Sequence, residues 1–332
     1  MNRRALPPAV ALMVALAVVP AFGYLKLGTR VQTRTASLKW EDFPIRYFVT
    51  NRAAPGVSAD QFQAAVTRAF ATWDAVDTAE TSSQFAGFTQ ANPTSGDGAA
   101  VLGFVNRPDL DRVLGATNFI IDVTTGEIVE SDIFFNTNFP WSVAADGEPG
   151  RHDLESIAVH EIGHLLGLGH SAIGETELVG SGRRVLGAEA VMFPIAFAAG
   201  TVKDRRLKED DIAGITDIYP TTASRRSKGS ISGKVTKNGA GVLGAHIVAF
   251  NPTTGTLVGG FTLNDDGGFT IAGLEAGPHV LRVEPLDDGD IDSFFDATLN
   301  IDVNFLVRFH DRIIVVPQGG GASNVEIKVT PK

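Results

Sequence analysis

His160 and His164 stand four positions apart, Glu161 lies between them, and His170 follows after Gly167. On a helix, residues four apart sit one turn above the other on the same face, so both imidazoles can reach one small cation at about 2.0 to 2.1 Å. Glu161 is rotated about 100° around such a helix, which sets its carboxylate beside the cation, placed to take a proton from a water bound there. Gly167 tolerates the left-handed conformation that ends a helix, and the returning chain can deliver His170 as a third ligand. Three nitrogen ligands leave a fourth position for water, the arrangement of a catalytic zinc site, whereas a structural site is closed by a fourth protein ligand. Neutral imidazoles select zinc over magnesium and calcium, which prefer oxygen.

The competing reading is a packed helix whose histidines are merely satisfied. It gives no reason for Glu161 inside the apolar run of Ile157, Ile162, Leu165 and Leu166. A bare His-Glu-x-x-His arises by chance in roughly one chain per hundred of this length, and the glycine and third histidine at fixed offsets lower that about a thousandfold. The other four histidines show no ligand spacing. His152, just before the metal helix, reads as a solvated loop residue or one facing the substrate, and His246, His279 and His310 as surface or satisfied strand residues.

The elements that must position these residues are legible from periodicity. Asp153 is a reasonable N-cap for the metal helix. Ser58 and Gln61 form a capping-box pattern ahead of Phe62, Val66, Phe70 and Trp73, which share one helical face. A third helix runs from about Lys208 to Tyr219 and stops at Pro220. Ile45 to Val49 has strand character, and Thr117 to Val123 and Glu130 to Phe135 flank Thr125-Gly126 as a hairpin. Residues 221–229 are polar and basic without periodicity and read as a linker. Beyond them, short alternating strands separated by Asn-Gly, Thr-Gly and Asp-Gly turns predict an antiparallel β-sandwich over residues 230–332.

With a net charge of −10 and scattered basic residues, the chain has no phosphate-tracking surface, so nucleic acid is excluded as a partner. The absence of cysteine removes disulfides, thiolate ligands and a thiol nucleophile. Residues 1–23 combine Arg3 and Arg4, an apolar run from Ala9 to Val19, and small residues after Pro20, the pattern of a secretory signal peptide. The alternative, an uncleaved anchor, is disfavoured by the shortness of the run and by Pro7, Pro8 and Pro20. Residues 24–37 are then an N-terminal extension, and the expected location is outside the cytoplasm with no stable membrane insertion.

The motif HExxHxxGxxH, matched by His160, Glu161, His164, Gly167 and His170, resembles that of the metzincin zinc endopeptidases. Ala190 to Pro194 is similar to the methionine turn of that clan, with Met192 beneath the metal and Pro194 closing the turn. Within the clan, HEIGHLLGLGHS and RRLKEDDIAGITDIYP resemble the matrixin helices, and KWEDFPIRYFV with AVTRAFATWDAV is similar to the opening strand and helix of the matrixin catalytic domain. The resemblance covers residues 38–220 and implies an α+β fold: a twisted five-stranded mixed sheet with three helices, carrying substrate along an edge strand near Leu114 to Ile120. It also implies structural calcium, for which Asp122, Glu127, Asp132 and Asn136 offer oxygens, with solvated hairpin carboxylates as the plainer reading. Ile195 and Phe197 are expected to line the pocket for one substrate side chain, and residues 174–187 to form a loop over the cleft. Without cysteine the family's thiol latency switch is impossible, and without further histidines a second zinc is not expected. Residues 229–285 resemble carboxypeptidase regulatory-like, transthyretin-like modules, whose ligand here is unknown.

The expected function is a secreted zinc endopeptidase that hydrolyses extended polypeptides, with Glu161 activating a zinc-bound water. Two rivals stand beside it. One is a zinc-holding scaffold, catalytically silent, acting as a secreted binding or adhesion protein; intact Glu161 argues against it. The other is a zinc amidase acting on cell-wall peptides.

Overall fold

The computed structural model describes residues 26–332 apart from 32, 33, 95 and 181, so the signal segment expected at residues 1–23 lies outside the described residues. Helix α1 (Ala59–Asp74) begins where the capping box places it: Ser58 Oγ accepts from the Gln61 N–H, and Gln61 Oε1 accepts from the Ser58 N–H. Its apolar stripe of Phe62, Val66, Phe70 and Trp73 is buried. That face packs on a five-stranded sheet ordered Ser83–Thr89, Ile45–Thr50, Ala100–Val105, Ile128–Asn136, Gly115–Ile121. The first four strands are parallel and the last is antiparallel. Ala100–Val105 and Ile128–Asn136 are almost wholly buried, as central strands covered on both faces must be. Phe62 meets Phe104 and Phe135 across the layer, with centroids 4.6 and 5.4 Å apart.

Helix α2 (Leu154–Leu165) carries the histidine motif and is held to α1 by the Trp73 indole, which donates to the Val159 carbonyl at 2.8 Å. Helix α3 (Glu209–Ile218) closes this part of the molecule. Within the N-terminal extension, Gly28–Val31 pairs antiparallel with Arg34–Ser37, and the Leu27 N–H donates to the Gly167 carbonyl at 2.9 Å. The segment read as a loop over the cleft is instead two antiparallel strands, Gly174–Val179 and Gly182–Ala188, which expose Leu178 and, at the bulge opposite Glu175 and Thr176, Leu186.

The segment read as a linker is helix α4 (Thr222–Ser227), capped by Thr221. Polarity without periodicity marks it as exposed, but a capped helix of under two turns needs no apolar stripe. Two sheets follow. In one, Gly229–Lys237 pairs antiparallel with Ala240–Gly241 and Gly268–Leu274 and parallel with Gly321–Val329. In the other, Gly277–Glu284 lies between His246–Phe250, which also pairs Leu257–Phe261, and the short strands Arg308–Phe309 and Ile314–Val316, all antiparallel. The all-antiparallel expectation is therefore corrected at one pair: alternation reveals which side chains face the core, and strand direction is left to the long connection that returns the chain. The Asn238-Gly239 turn takes positive φ at both residues, as a tight hairpin requires. Ile231, Val235, Leu281, Val283 and Ile327 fill the space between the sheets, and this core is continuous with that around α1 and α2.

Candidate active site

Asp153 caps α2 by accepting from Ser156 N–H at 2.9 Å, and Arg205 grips the same carboxylate through two nitrogens at 2.6 and 2.8 Å. The helix is buried on nearly every side, with Gly163 where a Cβ would overlap the Met192 sulfur and the Trp73 ring. After Leu165 the chain turns at Gly167, whose φ of +98° and closeness to the Leu38 carbonyl exclude a side chain. The turn returns His170 to His160 and His164. Among the described residues these three form the one group of His, Cys, Asp or Glu able to share an ion, with ligand atoms all within 4.8 Å of one another.

Each imidazole bonds a backbone carbonyl through Nδ1: His160 to Val191 at 2.8 Å, His164 to Leu168 at 2.8 Å and His170 to Ser293 at 2.6 Å. A carbonyl only accepts, so each Nδ1 carries the proton and each Nε2 presents a lone pair. The His164 and His170 Nε2 atoms are 3.2 Å apart. Two nitrogens at about 2.05 Å from one tetrahedral zinc stand about 3.3 Å from each other, so the spacing fits a shared ion. Neutral rings facing lone pair to lone pair at that distance have no other source of attraction. Burial, with mutual repulsion at His164 and His170, holds all three below the ordinary histidine range, His170 at about 3, which keeps them neutral and ready to ligate.

Glu161 is 5% exposed. Its Oε2 accepts from the Thr117 hydroxyl at 2.7 Å, and Gly115 leaves room for its Oε1 where a Cβ would press against it. Burial pushes its pKa up to about 7 against the opposing Thr117 bond. Thr117 and Gly115 belong to the antiparallel edge strand Gly115–Ile121, close to the range expected for it, so the edge runs alongside the metal helix at its glutamate. The sequence places both residues on the expected edge strand but gives no sign of their contacts with Glu161.

Met192 is 2% exposed beneath α2, and its carbonyl accepts from the Ser171 N–H at 2.9 Å. Asp211 holds this turn: its carboxylate accepts from Val191, Met192 and Lys208 N–H groups at 2.8, 3.1 and 2.8 Å. The sequence showed Asp210 and Asp211 only as a family pattern, without this role. Pro194, Ile195 and Phe197 continue the turn half-exposed, with the Lys203 ammonium 4.9 Å from the Phe197 ring centre. Ser293 could not have been found from the motif, since it lies 123 positions from His170.

Asp122 and Asp132, expected to bind calcium, belong to no shared ligand group among the described residues. Asp132 lies opposite Asn118, four residues along the strand from Asp122, or about 13 Å. Asp122 caps its own turn by accepting from Thr124, the Asn136 amide donates to the Arg107, Leu110 and Val113 carbonyls, and Asp132 accepts from the Val101 N–H. The plainer reading holds for Asp122; Asp132 and Asn136 are buried structural groups. His152 is half-buried against Phe139 and Trp141 rather than solvated.

A buried glutamate beside three converging imidazoles, on a helix under a mixed five-stranded sheet, defines an α+β protein with a hydrolase-type metal centre. Residues 39–220 match the family model for matrixins, Peptidase_M10, and the chain belongs to that family. Membership implies zinc, and the three histidines fit it. The chain is 30% identical over 175 residues to Metalloendoproteinase 1 of Glycine max, covering 48% of this chain and 46% of that protein. It is 48% identical over 67 residues to Metalloendoproteinase 5-MMP of Arabidopsis thaliana, covering 20% and 14%. It is 26% identical over 196 residues to Stromelysin-1 of Mus musculus, covering 58% and 35%. The matches thus span less than half the length of each of these relatives.

Proposed function

We propose that this protein is a secreted zinc endopeptidase acting on extended polypeptides, with residues 38–220 as the catalytic unit and 230–332 as an appended sandwich module. The observation that carries the reading is the convergence of three lone-pair-bearing Nε2 atoms beside the Glu161 carboxylate at an open sheet edge. His160, His164 and His170 hold the zinc, which supplies Lewis acidity toward a scissile carbonyl and a water molecule. Glu161 accepts the proton of the attacking water and passes it to the leaving amine. Thr117 orients that carboxylate. A substrate strand pairs with the free edge of Gly115–Ile121, so that backbone hydrogen bonds give affinity without regard to sequence. Ile195 and Phe197, following the Met192 turn, line an apolar pocket that selects one side chain.

Secretion is supported by the composition of residues 1–23, and no described helix is long and apolar enough to cross a membrane. The substrate class is tested by assaying the purified protein on casein and on purified cell wall. Chelator-sensitive cleavage of casein, leaving cell wall intact, is expected. Release of cell-wall peptides without casein cleavage would overturn the endopeptidase reading in favour of an amidase.

A further inference from the structure

The three carbonyls that accept from the histidines come from different places. Leu168 is four residues from His164, and Val191 lies on the Met192 turn beside α2. The acceptor for His170 is Ser293, from the far end of the chain. The one ligand that no helix fixes is thus oriented by the C-terminal part.

Ser293 is held firmly for this contact. It ends a short 3-10 turn, Ile291–Ser293, in which Ser293 N–H donates to Asp290 and Phe294 N–H to Ile291, at 2.9 and 3.0 Å. Phe294 and Phe295 follow directly and are buried in a small cluster with Ala172, Phe261 and Leu286, separate from the main core. Phe294 also stands edge-on to His170, with centroids 6.3 Å apart. Because Ala172 is two residues past His170, the same cluster grips both sides of the contact. The hairpin beyond pins the loop further: Thr176 Oγ1 donates to the Asp288 carbonyl at 2.7 Å, and Arg183 donates to Asp290 at 3.2 Å.

We infer that the C-terminal part completes the metal centre, with the Ser293 carbonyl fixing the tautomer and orientation of His170 and the two phenylalanines holding it in place. Ser293 is a positioning residue, and the inference rests on the histidines being metal ligands as proposed above. Outer acceptors of this kind lock the ring and raise its basicity, and losing one typically costs about 10- to 100-fold in metal affinity.

The test uses the full chain carrying Phe294→Ala with Phe295→Ala, against Val325→Ala, which opens the sandwich core away from the loop. Zinc affinity is read by competition with a chromophoric chelator, and ligand geometry by the visible bands of the cobalt-substituted protein. The double variant is expected to bind zinc about 10- to 100-fold more weakly with altered cobalt bands, while Val325→Ala stays within about twofold of wild type. Unchanged zinc affinity in a folded double variant, or equal weakening by Val325→Ala, overturns the inference. Failure of the wild-type chain to bind zinc overturns instead the reading of the site. A variant with glycine at each of residues 290 to 293 leaves the aromatic anchors in place and is expected to weaken binding likewise. In the metal-free wild type, nitrogen-15 shifts should report His170 protonated at Nδ1; protonation at Nε2 overturns the inference without any variant.

Discussion

Glu161 and its neighbour Thr117 show how far one hydroxyl can set a buried carboxylate. The carboxylate is buried and its one side-chain hydrogen bond comes from Thr117. Thr117→Val keeps the shape and removes that donor, which for a bond to a charged group is worth about 1.5 to 3 kcal/mol. Turnover is expected to fall roughly tenfold or more with metal content unchanged; steady-state kinetics beside metal analysis checks this, and loss of metal would point to a structural role. Asp132 poses a different question. It is fully buried, its Oδ2 has no hydrogen-bond partner, and burial, aided by Glu130 and Asp97, raises its pKa to about 7. A folded-state pKa above the unfolded value of about 3.8 contributes stability that is complete below pH 4 and is lost as pH rises toward 7. Relative to wild type, Asp132→Asn should therefore gain stability across that window, on the order of 3 kcal/mol. Urea midpoints for both proteins at either end of it measure the effect, and parallel pH profiles would refute it.

Among the elements, the turn through Met192 joins α2 and α3 at the three histidines. Val191 accepts from His160, Met192 fills the notch at Gly163, and Asp211 on α3 ties down both of their N–H groups. Asp211→Ala leaves three donors without their acceptor, two of them buried, and is expected to destabilise the fold by on the order of 3 kcal/mol. It should also weaken zinc binding through His160. A variant with unaltered urea midpoint and zinc affinity would show that the turn stands without α3. The elements themselves were readable because each carries a local cause. Ser58 with Gln61 starts α1, Asp153 starts α2, Gly167 ends the motif helix, and Thr125-Gly126 turns the hairpin that makes the edge strand. What was hidden had no local cause. Asp211 acts across two elements, Thr117 across a sheet and a helix, and periodicity reports only which face is buried.

Over the whole molecule, the reading from sequence separated two parts at a polar stretch, whereas in the structure they share one core. Gly259 N–H donates to the buried Asp210 carboxylate at 2.7 Å, and Gly273 lies where a Cβ would press into Ala213 of α3. Composition changes sharply near residue 222, but composition carries no information on docking. The parallel pairing of Gly321–Val329 and the reach of Ser293 to His170 are not legible in the sequence for the same reason: both are set by chain return over long separations. The histidine motif, by contrast, was complete in eleven residues, and its geometry follows from helix spacing and one glycine.

If Glu161 acts as a base at a zinc site, Glu161→Ala separates binding from chemistry. The wild-type and variant chains, purified side by side, should each hold one zinc per molecule. Only the wild type should hydrolyse casein, with the variant slower by about 10²- to 10⁴-fold. Zinc bound by both with equal hydrolysis, or with none by either, would contradict that role.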